Sequence, residues 1–233
     1  NYLYTKALAN WAVKRGIRFI YASSAATYGD GGLGFSDDDA TSLTLKPINM
    51  YGYSKQLFDV WAINSGLIKK ITGVKFFNVF GPNEYHKEEM RSVVHKAYEQ
   101  IKKTGKVSLF KSYQKDFANG GQMRDFIYVK DCINVVWKLL NIKSACGIFN
   151  LGTGQARSWN DLAGAIFSAL NIEAKTQYIE MPCEIRNQYQ YYTQAQMNKL
   201  NKKLKQNVSF FQLGDAVKDY VQNHLEKNDK YLS

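Results

Sequence analysis

A tyrosine and a lysine four positions apart, Tyr51 and Lys55, are the residues whose types and spacing best suit chemistry. On a helix, residues i and i+4 lie on one face, so the ammonium comes close to the phenol. A nearby fixed positive charge favours the phenolate, and each unit by which it lowers the pKa of a phenol reflects about 1.4 kcal/mol. Tyr51 is therefore a candidate base near neutral pH. The same spacing also occurs on solvated surface helices, so the neighbouring sequence must decide whether this pair is catalytic.

A serine at the end of a predicted strand supplies that context. Ser24 follows the β-branched and aromatic run Arg18–Ser23, and the polar loop Ala25–Asn49 leads to the helical pattern Tyr51–Ile63. Ligands of parallel α/β sheets bind beyond the carboxyl ends of the strands. A hydroxyl at this edge, followed by a Tyr/Lys helix, suits the placement of a substrate.

Strand and helix patterns alternate along the chain after an opening helix, Tyr2–Arg15. The periodicities predict strands at Val74–Phe80, Val107–Phe110, Phe126–Val129 and Gly147–Leu151, and helices at Met90–Lys103, Asp131–Leu140, Trp159–Leu170, Thr193–Leu200 and Leu213–Leu225. This order predicts an α/β fold, the C-terminal part of a Rossmann-like doubly wound parallel sheet with a smaller α/β substrate domain. The absence of an initiator methionine indicates a chain truncated at its N-terminus.

The composition excludes several classes of protein. With 233 residues, 45% of them hydrophobic, and 3 Cys, the chain is neither disordered, collagen-like nor a disulfide scaffold. No apolar run approaches the ~18 residues of a membrane span and no signal peptide is visible, so we expect a cytoplasmic protein without a membrane partner. The cysteines and the 3 His lack ligand spacing, so no metal is expected.

The formal net charge of +11 raises the question of an anionic partner. The densest basic stretch, Lys199–Lys205, lacks the Arg-rich runs and the aromatic platform of nucleic-acid modules. We therefore expect no nucleic-acid partner. The net positive charge is explained either by an anionic small-molecule ligand or by an uneven distribution of charge along a larger protein of which this chain is a part.

Further motifs agree with a known superfamily in order and spacing. They are Phe77–Pro82, Arg124–Asp131 and Phe149–Gly154, in addition to Ser24 and the Tyr51/Lys55 pair. With them the chain resembles the extended short-chain dehydrogenase/reductase superfamily, the NAD-dependent epimerases and dehydratases. Within it, Gly81-Pro82-Asn83-Glu84-Tyr85-His86-Lys87 is similar to the motif of the heptose 6-epimerase family, in which the lysine is a second acid/base.

This resemblance implies an activity, a cofactor and a substrate. The activity is epimerisation at C6 of ADP-D-glycero-D-manno-heptose to ADP-L-glycero-D-manno-heptose, by transient oxidation with bound NADP, in the synthesis of a lipopolysaccharide core precursor. The superfamily's glycine loop should precede Asn1, so NAD stays open as an alternative. The resemblance also implies a homo-oligomer, with residues 1–81 and 126–150 in the dinucleotide-binding domain and 82–125 and 151–233 in the substrate domain.

The same resemblance assigns a role to individual residues. The catalytic residues are Tyr51 and Lys87 as the two bases, Lys55 and Ser24. Tyr51, Lys55, Val79 and Lys87 would contact the cofactor, and Ser24, Asn78, Phe110, Arg124 and Tyr189 the substrate. Arginine suits a diphosphate because its fork donates two parallel hydrogen bonds.

The chain departs from the family pattern close to the expected substrate pocket. The departures are Glu88, Glu89, Lys96 and Lys111, and they leave the sugar open. Gly29–Gly34 fits G-x-G-x-x-G, but it leads into an acidic run instead of an apolar helix, so we reject it as a phosphate loop.

Two other functions remain as alternatives. One is a 4-epimerase, decarboxylase or 4,6-dehydratase of another nucleotide sugar within the superfamily. A dehydratase would usually carry an Asp-Glu pair after the Thr of the strand-end segment, and Ala25-Ala26-Thr27 is not followed by one. The other is a non-catalytic binding protein on the same fold, in which the Tyr or the Lys is often lost, whereas both are present here.

Overall fold

The structure is a computed structural model that describes residues 2–186 and 189–227. The chain divides into two compact units. Unit 1 comprises Asn1–Phe77, Ile133–Gln155 and Thr193–Ser209, and unit 2 comprises Asn78–Cys132, Ala156–Tyr192 and Phe210–Ser233.

Unit 1 is built around a parallel sheet. Its strands are β1 (Ile20–Ser24), β2 (Thr72–Phe76) and, later in the chain, a strand at Gly147–Leu151. In the sheet β2 lies in the middle, between β1 and the strand Gly147–Leu151. Ser24 pairs with Phe76, which pairs with Leu151, so the three strands end at one carboxyl edge. Any ligand of this sheet is expected at that edge.

Helices flank this sheet in sequence and supply the apolar core of unit 1. They are α1 (Tyr2–Lys14), α2 (Asp39–Thr44) and α3 (Met50–Asn64), and further along the chain the helix Asn198–Leu204 and, from Ile133 onward, the helix Val129–Asn141. Ala9 of α1 and Phe58 and Ala62 of α3 pack in one buried cluster with Tyr21 and Ile148. Burial of each large apolar side chain in this cluster stabilises the fold by about 1.5–3 kcal/mol.

Unit 2 contains two small sheets and the helices that cover them. The first sheet joins β3 (Asn78–Phe80) in parallel to a strand at Met123–Tyr128, which pairs antiparallel with a short strand at Ala156–Ser158. The second joins Val107–Phe110 in parallel to Thr176–Ile179. In chain order these are β4 (Val107–Phe110), β5 (Met123–Tyr128), β6 (Gly147–Leu151, of unit 1), β7 (Ala156–Ser158) and β8 (Thr176–Ile179).

The core of unit 2 lies among its helices. The helices of unit 2 are α4 (Val93–Thr104), α6 (Trp159–Leu170), α7 (Cys183–Arg186) and α9 (Leu213–Tyr220). The labels α5 (Val129–Asn141) and α8 (Asn198–Leu204) are given to the two helices already described with unit 1, so that the numbers follow chain order. Helix α6 begins at a capping box, in which Ser158 and Asp161 exchange side-chain and backbone hydrogen bonds. The largest buried members of this core are Phe80, Phe126, Tyr128, Phe167 and Tyr220.

The predicted α/β class with parallel strands is confirmed, but several local predictions differ from the structure. The predicted strand Val74–Phe80 is two strands in different sheets, interrupted at Phe77, whose N–H donates to the Leu151 carbonyl oxygen at 3.0 Å. An unbroken apolar run does not show where a strand exchanges its partners. The predicted loop Ala25–Asn49 contains a 3₁₀ turn at Ala25–Tyr28 and helix α2, which Asp38 caps.

The short helix predicted near Thr193–Leu200 is present but displaced along the chain, because α8 begins only at Asn198 and ends at Leu204. Helix α4 likewise begins at Val93, not at Met90, since the side chain of Ser92 caps it by accepting from the His95 N–H. The sequence analysis also missed β7 and β8. All four residues of β8 are exposed, so the strand lacks the alternation that would reveal it.

The boundaries of the two units differ from the proposed domain limits. Residues 78–81 and 126–132 belong to unit 2, and 151–155 and 193–209 belong to unit 1. In the part of the chain that the structure describes, none of the helices has the length and apolar character needed to cross a bilayer.

Candidate active site

Tyr51 stands in the first turn of α3 because Asn49 starts the helix there. The Asn49 side chain accepts a hydrogen bond from the Gly52 N–H at 2.8 Å. Gly52 allows the helix to approach the turn after β1, since a Cβ at this position would lie 2.5 Å from the Ala26 carbonyl oxygen. Tyr51 itself is 51% exposed, so its phenol is accessible to a ligand.

Lys55 is fixed one turn further along α3. Its Nζ donates to the Ala22 carbonyl oxygen of β1 at 2.9 Å and lies 5.8 Å from the centroid of the Tyr51 ring. Burial lowers the pKa of Lys55, and the Asp59 carboxylate acts in the opposite direction and raises it. The structure thus brings the predicted Tyr/Lys pair together, with the ammonium tied to the strand that ends in Ser24.

Ser24 is the last residue of β1 and begins the 3₁₀ turn that follows. Its Oγ accepts from the Ala26 N–H at 3.1 Å, and its carbonyl oxygen accepts from the Thr27 hydroxyl at 2.8 Å. The Ser24 hydroxyl proton has no acceptor among the hydrogen bonds of the described residues. Ser24, Tyr51 and Lys55 therefore form one polar group around the end of β1.

Lys87 lies in unit 2, on an exposed turn at Tyr85–Met90. The backbone of the next residue, Glu88, has φ 46° and ψ −118°, an uncommon conformation for a residue other than glycine. The Lys87 N–H donates to the Glu84 carbonyl oxygen at 3.0 Å. Backbone geometry, and not a regular helix, thus sets where Lys87 stands.

A buried carboxylate closes this turn. Glu84, only 4% exposed, accepts from the Ser92 N–H and from the Ser92 hydroxyl, both at 2.6 Å, and from the Tyr220 hydroxyl at 2.8 Å. The turn that carries Lys87 is therefore tied at both ends, since Ser92 is also the cap of α4. The sequence analysis missed Glu84, although it lies in the motif that carries Lys87.

Arg124 lies in unit 2 among aromatic rings. Its guanidinium is 5.2 Å from the centroid of Tyr189 and 5.7 Å from that of Trp159, and Trp159 Nε1 donates to the Tyr189 hydroxyl at 2.9 Å. Burial lowers the pKa of Arg124, which is 8% exposed. Among the described residues no carboxylate forms an ion pair with it. A buried cation of this kind suits an anionic ligand.

The other predicted substrate residues line two cavities that Trp159 borders, and so does Val79, which was predicted to contact the cofactor. Phe110 and Tyr189, with ring centroids 6.3 Å apart, line an apolar cavity of about 430 Å³ together with Trp159. Asn78 and Val79, the first two residues of β3, line a smaller cavity of about 190 Å³ that Trp159 also borders. Trp159 borders both cavities, although its position in the sequence indicated only the start of a helix.

The four departures from the family pattern lie in exposed ion pairs or next to them. Lys96 Nζ is 3.3 Å from a carboxylate oxygen of Glu89, and Lys111 Nζ is 2.6 Å from one of Glu180. The unusual residues at 89 and 96 therefore compensate each other in charge. In the described part of the chain, no group of three His, Cys, Asp or Glu side chains is placed to hold a metal ion.

A comparison with protein families decides the relationship of the chain. The model of the NAD dependent epimerase/dehydratase family matches residues 1–152. The chain belongs to this family. The matched region includes Ser24, Tyr51 and Lys55 of unit 1 and Lys87 and Arg124 of unit 2, and the resemblance inferred from the motifs is confirmed.

Individual members of the epimerase/dehydratase family are similar over the whole chain. An ADP-L-glycero-D-manno-heptose-6-epimerase of Nitratidesulfovibrio vulgaris is 55% identical over 232 residues, covering 100% of this chain and 72% of the relative. One of Fusobacterium nucleatum is 46% identical over 241 residues, with the same coverage. Both relatives carry the name that the motif around Lys87 predicted for the family.

A solved structure of the family has the same fold. The crystal structure of Helicobacter pylori ADP-L-glycero-D-manno-heptose-6-epimerase aligns with a TM-score of 0.75 and 28% identity. The alignment covers 93% of this chain and 62% of the other. The predicted Rossmann-like class is confirmed by this match, and the family description supports a nicotinamide cofactor.

Proposed function

We propose that the full-length gene product containing this chain is a cytoplasmic enzyme that epimerises C6 of ADP-D-glycero-D-manno-heptose to the L-glycero form, for a lipopolysaccharide core precursor. The 55% identity to a relative of that name, over the whole chain, carries the proposal. The polar group of Ser24, Tyr51 and Lys55 supports it, because a phenol, a cation and a hydroxyl at the carboxyl edge of a parallel sheet suit proton transfer.

The residues present fit a nicotinamide dinucleotide, which we infer to be NADP. Tyr51 is half exposed and Lys55 half buried beside it, so a ribose hydroxyl could bind both polar groups. By the family resemblance, Val79 and Lys87 contribute further contacts from unit 2. A bound nicotinamide supplies reversible hydride transfer at C6.

The chain's own residues would then handle the proton and the substrate. Ser24 donates its hydroxyl to the reacting oxygen, Tyr51 exchanges the proton of that oxygen in one stereochemical orientation, and Lys87 exchanges it in the other. Lys55 keeps a positive charge next to the Tyr51 phenol. Two bases are useful because inversion at C6 moves the oxygen to a new direction.

Unit 2 would bind the nucleotide part. Arg124, buried and close to the rings of Trp159 and Tyr189, would present its guanidinium to the diphosphate. Phe110 and Tyr189 offer aromatic faces for the nucleotide, and Asn78 contacts the substrate as in the family resemblance. The proposal also includes assembly into a homo-oligomer, which light scattering of the purified protein would test.

The test is turnover by the full-length gene product, followed by proton NMR without added cofactor. Conversion of ADP-D-glycero-D-manno-heptose to an equilibrium mixture supports both the substrate and a tightly held, self-regenerating cofactor. Tyr51→Phe combined with Lys87→Met should abolish turnover of both epimers, whereas Tyr53→Phe, also 50% exposed on α3, should retain it. No conversion by wild type with the cofactor bound would redirect the proposal to another nucleotide sugar, starting with 4-epimerase substrates.

A further inference from the structure

Two opposite charges lie fully buried in unit 1, behind the polar group of Ser24, Tyr51 and Lys55. Lys75 Nζ of β2 is 3.1 Å from a carboxylate oxygen of Asp59 of α3, and both side chains are 0% exposed. Burial lowers the pKa of Lys75, and the adjacent Asp59 carboxylate raises it. Such a pair is costly to desolvate, and apolar side chains of similar size often stabilise a fold equally well. Its presence therefore calls for an explanation other than stability.

Asp59 connects α3 to β1. It accepts from the Tyr21 hydroxyl at 2.9 Å and from the Ser23 hydroxyl at 2.7 Å, and both residues belong to β1. Asp59 also lies four residues after Lys55, on the same face of the helix. The helix that presents Tyr51 and Lys55 is thus joined to the strand that ends in Ser24.

Lys75 extends this connection to the Ser24 backbone. Its Nζ donates to the Thr27 hydroxyl at 2.7 Å, and the Thr27 hydroxyl donates in turn to the Ser24 carbonyl oxygen at 2.8 Å. A threonine hydroxyl has a single proton, so this arrangement fixes its direction. Thr27 is 0% exposed, so these bonds are shielded from bulk solvent.

We propose that Asp59, Lys75 and Thr27 are positioning residues, which hold Ser24 in a fixed place relative to Tyr51 and Lys55. The proposal rests on the function proposed above, since it concerns the geometry of that reaction. None of the three touches the reacting atoms; Thr27 acts through the backbone of Ser24, and Asp59 acts through α3 and β1. A misplacement of ~1 Å in such a group can cost roughly 100-fold in rate.

The experiment compares three variants of the full-length gene product. Thr27→Val removes the hydroxyl but keeps the shape, and Thr27→Ser keeps the hydroxyl. Thr72→Val is a matched control, because the Thr72 hydroxyl is equally buried, accepts from Arg18 Nη2 at 3.1 Å and donates to the Ala145 carbonyl oxygen, at the opposite end of β2. Both valine variants lose a buried hydroxyl that links a cation to a carbonyl group.

The expected result separates positioning from stability. Thr27→Val should lower kcat about tenfold without a change in KM, since the nucleotide part binds elsewhere, and Thr27→Ser should restore kcat to within about twofold. Thr27→Val and Thr72→Val should lower Tm by similar amounts, because each loses one buried hydroxyl. Thr72→Val, however, should leave kcat unchanged. Equal kcat in wild type and Thr27→Val, at equal folded fraction, would overturn the proposal.

A second measurement does not depend on the substrate. Amide hydrogen exchange at Ala26, whose N–H donates to Ser24 Oγ, should become faster in Thr27→Val and remain unchanged in Thr72→Val. Unchanged exchange at Ala26 in Thr27→Val would also overturn the proposal. If Thr27→Val does not fold, Ser23→Ala replaces it, with an expected loss of about threefold in kcat, since Ser23 donates to Asp59. A wild type that fails to convert the ADP-heptose refutes the proposed function alone, because the exchange measurement still tests the positioning.

Discussion

The two candidate bases are held by different kinds of structure. Tyr51 stands on a capped helix that is joined to the sheet by the buried Asp59–Lys75 pair, with Asp59 two turns after Tyr51 on the same helix face. Lys87 stands on an exposed turn with a positive φ at the next residue, and one buried carboxylate, Glu84, closes that turn. A phenol on a short, stiff side chain needs its backbone placed accurately, whereas a lysine has a long side chain that tolerates a looser turn.

The difference has an energetic consequence. Around Tyr51 many contacts share the task of positioning, so no single neighbour is decisive for the fold of the helix. Around Lys87, three of the hydrogen bonds that close the turn end on one side chain, Glu84. Loss of a group outside the reaction should therefore affect the Lys87 turn more than the Tyr51 helix.

The largest expected effect comes from removing either base alone. In a two-base reaction one group takes the proton and the other returns it, so both work in every turnover. We expect Tyr51→Phe and Lys87→Met each to lower kcat about 1,000-fold in both directions, within the range typical of general acid–base catalysis. The measurement is the initial rate of epimerisation starting from each pure epimer.

Matched surface variants give the background of this measurement. Tyr53→Phe on α3 and Lys103→Met on α4 alter residues of the same types elsewhere in their units and should keep kcat within about twofold of wild type. If Lys87→Met retains most of its activity while Tyr51→Phe does not, a single base suffices and the comparison of two bases is wrong.

A smaller effect is expected from Glu84→Gln, which tests the closure of the Lys87 turn. The amide cannot accept all the hydrogen bonds from Ser92 and Tyr220, so at least one buried donor loses its partner. We expect a loss of about 2 kcal/mol in the free energy of unfolding and about a tenfold lower kcat. Urea denaturation and the rate from each epimer are the two measurements.

The control for this variant is Glu99→Gln. Glu99 is also a carboxylate near the turn, at 2.6 Å from Arg91, but its side chain is 48% exposed and does not close the turn. It should change the free energy of unfolding by less than about 1 kcal/mol. If Glu84→Gln affects stability but not kcat, Glu84 supports the fold and does not place Lys87.

The sequence revealed the helix of Tyr51 and Lys55 and the end of β1 because both depend on local patterns. A 3.6-residue period marks α3, and small residues after an apolar run mark the end of β1. The pairing of strands that are distant in the chain leaves no comparable local pattern in the sequence. Phe77 interrupts one apolar run because β2 pairs with β1 and β6, whereas β3 pairs with β5.

The parts of the site that the sequence analysis missed are contacts between distant residues. Trp159 meets Tyr189 across 30 positions, and Glu84 meets Tyr220 across 136. Neither contact has a spacing that a single sequence could reveal. The assignments of Lys87 and Arg124 came from a family motif, and their roles remain predictions for the variants above.

Acid stability should differ between the two units. Burial raises the pKa of Asp219 in unit 2, but hydrogen bonds from Lys130, Tyr128 and Asn223 outweigh it and lower this pKa to about 2. A carboxyl with a depressed folded-state pKa stabilises the protein fully above its unfolded-state value near 3.9 and loses this contribution as the pH falls towards 2. Asp219→Asn should therefore cost about 2 kcal/mol at pH 7, and the cost should disappear as the pH falls from about 4 to 2.

The matched carboxyl of unit 1 is Asp38. Hydrogen bonds from the Ser36 side chain and the Thr41 backbone lower its pKa to about 2 as well, but it is exposed, so solvent screens its contribution. Urea denaturation between pH 2 and pH 7 compares Asp219→Asn with Asp38→Asn. A larger effect of Asp38→Asn would show that the cap of α2 matters more than the part-buried hydrogen bonds of Asp219.

The smallest effect is expected at the departures from the family pattern. The Lys96–Glu89 pair is exposed at both ends, with side chains 40% and 92% accessible. Exposed pairs contribute roughly 0–1 kcal/mol, so Lys96→Met should change Tm by at most a few degrees. Because Glu89 neutralises Lys96, we also expect kcat/KM for the ADP-heptose to stay within about twofold. A tenfold lower kcat/KM at unchanged Tm would mean that Lys96 binds the substrate itself, and the loose turn of Lys87 would then help to select the sugar as well as carry a base.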